Sequence, residues 1–116
     1  MILQLPFPPS INTYYRRVGN VTKISAKGRV YRVDVINRCR MVTDRFGPDD
    51  RLRVSIAALM PDRRRRDLDN LLKALLDALQ HAGIFPDDGA IDDLRVTRGG
   101  VEAPGAVIVT IEKILR

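Results

Sequence analysis

Apolar positions along the chain fall into a few clear rhythms. Leu3, Leu5 and Phe7 alternate with other residues until Pro8-Pro9, which predicts a short strand over 1–7 and an enforced break after it. Residues 10–25 (SINTYYRRVGNVTKIS) mix Ser, Asn, Thr, Tyr, Arg and Lys without a period and read as a polar loop. Ser25 is placed to cap a helix whose apolar positions Tyr31, Val35, Cys39, Val42 and Phe46 recur at helical spacing, fading before Gly47-Pro48. Alternation returns over 51–60, where Leu52, Val54, Ile56 and Met60 share a face and Pro61 ends the run. The strongest 3.6-residue pattern follows: Leu68, Leu71, Leu72, Leu75, Leu76 and Leu79, with Gly83 where the helix should stop. After the turn Pro86-Asp87-Asp88-Gly89, segments 94–98 and 106–111 read as a hairpin. The predicted order is strand–helix–strand–helix–strand–strand. That is an α+β fold with helices on a small mixed sheet, in a single domain over 1–116.

Charge changes the picture. The chain carries 16 Arg among its 20 basic residues and 12 Asp among its 14 acids, for a net +6. The excess is lopsided: residues 1–66 stand at +10 and residues 67–116 at −4, with Arg63, Arg64, Arg65 and Arg66 at the boundary. A basic half of this kind suits a polyanion. Acids gathered beside it suit a divalent cation that neutralises them. No apolar run approaches the ~20 residues of a membrane helix, and the N-terminus lacks a signal-peptide pattern. The single Cys39 excludes disulfide frameworks and cysteine zinc sites and points to a reducing cytoplasm. His81 is the only histidine, so chemistry falls to Asp, Lys and Arg.

Candidate chemistry concentrates in residues 60–70, MPDRRRRDLDN, and in Asp87-Asp88. Asp67 and Asp69 sit where the helix begins; both could simply serve as a cap and a dipole partner. Four neighbouring arginines, Lys73 one turn on and a further carboxylate at Asp87 or Asp88 favour a site that holds phosphate and metal. Magnesium takes hard oxygen ligands, and phosphodiester hydrolysis uses such an ion for water activation and leaving-group stabilisation. A lysine nearby offsets charge developing on the phosphate. Asp77, four residues after Lys73, reads as its ion-pair partner. Asp92 and Asp93 read as solvated, Cys39 as core and His81 as surface. Tyr14, Tyr15, Arg16 and Arg17 interleave rings and cations as DNA contacts do, against the alternative that the tyrosines pack on the core.

The stretch MPDRRRRDLDNLLKALLDALQHAGIFPDD, preceded in order by PPSINTYYR and ISAKGRVYR, strongly resembles the RusA-type Holliday-junction resolvases of lambdoid prophages and bacterial genomes. The likeness runs from the first strand to the last. It implies catalytic, metal-holding aspartates at Asp67, Asp69 and Asp88, a catalytic lysine at Lys73, and supporting roles for Arg66 and Asn70. It also implies a homodimer that uses Mg2+, with Mn2+ as a substitute, to nick four-way DNA junctions symmetrically in recombination and repair. Arg63, Arg64, Arg65, Arg66, Tyr15, Arg16, Arg17 and Lys23 would contact the branched DNA. Phe85-Pro86 departs from the pattern of related members. Two other classes are weaker. A noncatalytic basic DNA-binding protein leaves the acids unexplained, and a metal-dependent hydrolase of small phosphorylated substrates leaves the basic half unused.

Overall fold

The strand at 52–60 organises the molecule. In the computed structural model, which describes residues 1–115, it is a nine-residue element whose alternate side chains Leu52, Val54, Ile56, Ala58 and Met60 are all buried. The elements run β1 (Ile2–Pro6), α1 (Ile11–Tyr14), β2 (Tyr15–Val18), β3 (Val21–Ile24), α2 (Ala26–Arg38), β4 (Leu52–Met60), α3 (Leu72–His81), β5 (Ile91–Val101) and β6 (Ala106–Lys113). Two 3-10 turns, Leu68–Leu71 and Asp88–Ala90, bracket α3. The α+β class and the mixed sheet follow the expectation.

The final hairpin does not form. The main sheet is ordered β1-β6-β4-β5, so β4 lies between the two strands that the pattern joins directly. β4 and β5 are parallel, with Leu52 opposite Ile91, while β4 and β6 are antiparallel. The physical reason is the central place of β4, whose apolar alternation is matched by hydrogen bonding on both edges. The connection 102–105 steps over the end of β4: the Glu102 amide donates to the Met60 carbonyl at 2.8 Å. At Gly105 (φ +87°) a Cβ would stand 3.0 Å from the Pro61 nitrogen, so the crossing needs a residue without one. The chain from β4 through α3 to β5 is therefore a β-α-β crossover, and α3 separates its two ends.

Residues 10–25 are also more ordered than a polar loop. One helical turn, α1, leads into the antiparallel ribbon β2–β3, closed by Gly19-Asn20 with Gly19 at φ +62°. The sequence signal was Val-Gly-Asn-Val, a two-residue turn of the type that needs glycine at its first central position. α2 begins as expected, with the Ser25 hydroxyl accepting from the Gly28 amide at 2.9 Å. It ends at Arg38, well short of Phe46. Arg45 folds the following segment back, donating to the carbonyls of Cys39 (2.7 Å) and Ala82, and Val42 and Phe46 pack on the core from a loop. Cys39 is buried there as a core residue, and burial pushes its thiol pKa up.

In α3 the leucine pattern holds. Leu71, Leu75 and Leu79 are buried, with Ala74 and Ala78 between them, and Gly83 (φ +75°) closes the helix. Each such leucine contributes about 1.5–3 kcal/mol by leaving water. Ile84 and Phe85 continue the same core, so Phe85 is an internal side chain rather than a projecting one. Among the described residues no helix is long and apolar enough to cross a membrane.

Candidate active site

Beyond Pro61 the chain turns at the C-terminal end of β4. The Asp62 carboxylate accepts the Arg64 amide (2.9 Å) and both terminal nitrogens of Arg66. The hydrogen bond from Arg66, then that from the Arg64 amide, brings its pKa down to about 2. Arg66 is further fixed by Phe7, whose ring centroid lies 5.9 Å from its guanidinium carbon, and by its carbonyl, which accepts from Arg98 at 2.7 Å. Arg63, Arg64 and Arg65 are exposed instead. Arg65 reaches only 3.9 Å from Asp67, with its side chain 93% exposed. Three of the four boundary arginines thus face solvent as a cationic surface, and the fourth is built into the turn.

Asp67 precedes the 3-10 turn but makes no side-chain cap bond; its carbonyl alone accepts the Asn70 amide, at 3.2 Å. Its carboxylate is therefore not consumed by the helix start. Asp67, Asp69, Asn70 and Lys73 are all exposed on this turn and the first turn of α3. Two carboxylates and an ammonium beside the exposed arginines can meet a phosphodiester without first being released from structural bonds.

Asp88 lies elsewhere. Its amide donates to the Gln80 side chain at 3.3 Å, near the end of α3, and the adjacent Gly89 carbonyl accepts from Arg51 at the start of β4. Ten residues of α3 span about 15 Å, so Asp88 does not return beside Asp67 and Asp69 within one chain. Among the described residues no three His, Cys, Asp or Glu side chains come together as a metal-holding group. A single protomer thus does not fit a three-carboxylate cage: Asp67 and Asp69 offer two carboxylates at one end of the helix and Asp88 a third at the other.

Several other acids are committed to structure. Asp77 pairs not with Lys73 but with Arg32 of α2 (2.8 Å) and the Tyr14 hydroxyl, with His81 at 3.8 Å. Burial works to raise its pKa, but the hydrogen bonds from Tyr14 and Arg32 outweigh it and hold the carboxyl below its usual range. Burial and the Asp77 contact push the Tyr14 hydroxyl upward. Asp92 and Asp93 are not merely solvated: Arg51 and Arg53 bind them across the parallel β4–β5 pair, the latter at 2.9 Å. Tyr14 is a core residue, whereas Tyr15 is half-buried and Arg16, Arg17 and Lys23 are exposed on the β2–β3 ribbon.

The sequence pattern assigns Pro8-Pro9 only to a break after β1. The structure sets this segment against the arginine turn. Phe7, Pro8, Pro9, Ser10 and Thr13 form one side of a cavity of about 470 Å³. Arg65, Arg66, Asp67, Asn70 and Leu71 form the other. A pair of prolines followed by Ser and Thr carries no periodic signal that would have joined it to residues 65–71.

The family model for the endodeoxyribonuclease RusA matches residues 6–112, which includes the arginine turn, α3 and the Asp88 turn. The chain belongs to the RusA family. It is 52% identical to the crossover junction endodeoxyribonuclease of Enterobacteria phage HK97 over 101 residues, 87% of this chain and 83% of that protein. It is 42% identical to the crossover junction endodeoxyribonuclease RusA of Shigella sonnei and 41% to that of Escherichia coli K12, in each case over 97% of this chain and 93% of the relative. RusA membership makes this an endonuclease fold and carries a general requirement for a divalent metal.

Proposed function

We propose that the protein is a structure-selective endonuclease that resolves four-way DNA junctions by paired symmetric nicks, in recombination and repair. The observation that carries this reading is the exposed Asp67, Asp69 and Lys73 turn beside exposed Arg63, Arg64 and Arg65, in a chain of the RusA family. Asp67, Asp69 and Asp88 are the proposed metal-dependent carboxylates, Lys73 the group that balances charge on the phosphate, and Arg66 and Asn70 their supports. Arg63, Arg64 and Arg65, with Tyr15, Arg16, Arg17 and Lys23 on the ribbon, take the branched DNA, while Arg66, bound to Asp62, supports the turn rather than contacting DNA directly. Mg2+ is the proposed ion, with Mn2+ substituting, and the cytoplasm the proposed compartment. The whole chain, 1–116, acts as one domain.

A homodimer belongs to the same proposal. A four-way junction has approximate two-fold symmetry, and an isologous dimer offers two sites related by the same axis. The separation of Asp88 from Asp67 and Asp69 along α3 adds a second argument. For all three to act on one phosphate, a second copy must supply one of the two ends. The test is a synthetic four-way junction with mapped nicks, with and without Mg2+, alongside sedimentation. Paired nicks at symmetric positions by a dimer are expected only with the ion. Metal-independent binding without cleavage, or turnover of a nucleotide but not of DNA, would overturn the reading.

A further inference from the structure

The cavity between the Phe7–Thr13 side and the arginine turn has a character that phosphate binding does not require. Phe7, Pro8, Pro9 and Leu71 give it flat, apolar walls, while the Ser10 and Thr13 hydroxyls and the Asn70 amide supply donors and acceptors. The two hydroxyls lie 3.1 Å apart on exposed residues, so an entering polar edge can take either of them from the other. Its volume, about 470 Å³, lies in the range of sites for small organic groups. Its rim carries Asp67 and the exposed Arg65. An occupant that used all of these features would be apolar on its faces, hydrogen-bonding at its edge and attached to an anionic group within reach of Arg65.

We propose that this cavity receives an extruded nucleobase of the DNA strand being cut, a proposal that rests on the nuclease reading above. A base inserted here would stack on apolar and aromatic surface while its own phosphate stayed at the rim beside Arg65. Extrusion costs least for a base that is mismatched, damaged or unpaired, and a paired base at the branch of an open four-way junction lacks the continuous stack that holds a base inside linear duplex. The cavity thus links branch recognition to cutting: seating the base brings its phosphodiester to the aspartate turn. A strand whose bases remain stacked can meet the arginines but not the cavity.

The test uses full-length protein and a four-way junction carrying 2-aminopurine at single positions flanking the cleaved phosphate, mixed without divalent metal so that no cutting occurs. Fluorescence should rise severalfold at one flanking position when the protein binds, because unstacking relieves quenching. Thr13→Phe, which fills the cavity from an exposed residue, should abolish that rise and slow nicking by about ten- to hundredfold, the worth of one stacked base. On a junction with an abasic residue at that position, wild type and Thr13→Phe should nick at equal rates. Aminopurine quenched at every position in a complex that is still cut when Mg2+ is added would overturn the base pocket while leaving the nuclease intact. Failure of the wild-type protein to cut any junction would overturn the underlying reading instead.

Discussion

The aspartates of this chain are held in different ways, and the contrast is clearest between Asp77 and Asp69. Asp77 is enclosed by Arg32, Tyr14 and His81, and three elements meet on its carboxylate. Asp69, two turns earlier, stands exposed on a 3-10 turn. Asp62, Asp92 and Asp93 follow the first pattern, each bonded to an arginine, and Asp67 the second. A carboxylate held by arginine has its charge and hydrogen-bonding capacity committed within the protein, and removing it leaves the arginine without its partner. One left in solvent beside other acids gains nothing for the fold. The difference separates acids committed to the fold from acids left open to solvent.

The sharpest way to break this contrast is to neutralise the acids proposed for the reaction. Asp69→Asn and Asp88→Asn should each cut junction nicking by about 10³-fold, equivalent to several kcal/mol of transition-state stabilisation. Their thermal midpoints should move by no more than ~2 °C, as for an ordinary surface change. Near-normal nicking by both variants would erase the distinction. Lys73→Ala comes next, with a loss of about 10²–10³-fold in nicking and metal-free junction binding weakened by one phosphate contact at most, as a titration at several salt concentrations would show.

Asp77→Asn probes the other set. It leaves Arg32 and the Tyr14 hydroxyl without a charged acceptor, which should cost about 1–3 kcal/mol and lower the midpoint by several degrees. Equal midpoints for Asp77→Asn and Asp69→Asn would deny the comparison. Acid titration gives the smallest and most diffuse effect. The Asp62, Asp77 and Asp93 carboxyls lie below their ordinary range when folded. Their contribution is complete above the unfolded value of ~3.9 and is lost as pH falls toward their folded values, about 2 for Asp62. Wild-type stability should therefore decline between pH 4 and pH 2, and Asp77→Asn should decline less steeply over the same interval, as melting curves at stepped pH would read.

Periodic elements were legible because a single period states both the element and its buried face, as in Leu71, Leu75 and Leu79 or in the alternation of β4. Pairing was not, because adjacency in sequence says nothing of a strand that inserts itself between neighbours, as β4 does between β5 and β6. The β2–β3 ribbon was missed: its polar strands are exposed on both faces and carry no period, so residues 10–25 read as a loop and the Gly19-Asn20 turn went unused. For the site, the arginine run and the two exposed aspartates were visible as a charge boundary. The partner of Asp77 was not: helical spacing puts Lys73 within reach, but burial gives the carboxylate to Arg32, 45 residues away. The distance of Asp88 from the first two aspartates likewise depends on the direction of β5, which no local pattern encodes.

The buried Tyr14 has a mechanical consequence. Tyr15 begins the basic ribbon directly after it, and Ser25 at the ribbon's other leg is tied back by its amide to the Tyr14 carbonyl at 2.8 Å. Both legs leave the body from one clamp, which the Asp77 contact bolts to α3, the helix that carries Lys73. A beam clamped in this way can flex at its tip without swinging at its root. The span from Arg16 and Arg17 to the aspartate turn is then set by the protein, like the jaws of a caliper. A nucleic acid that touches both jaws must bring its backbone to that span, and the work of doing so differs with its path. Substrates would be sorted by gauge before any base is read.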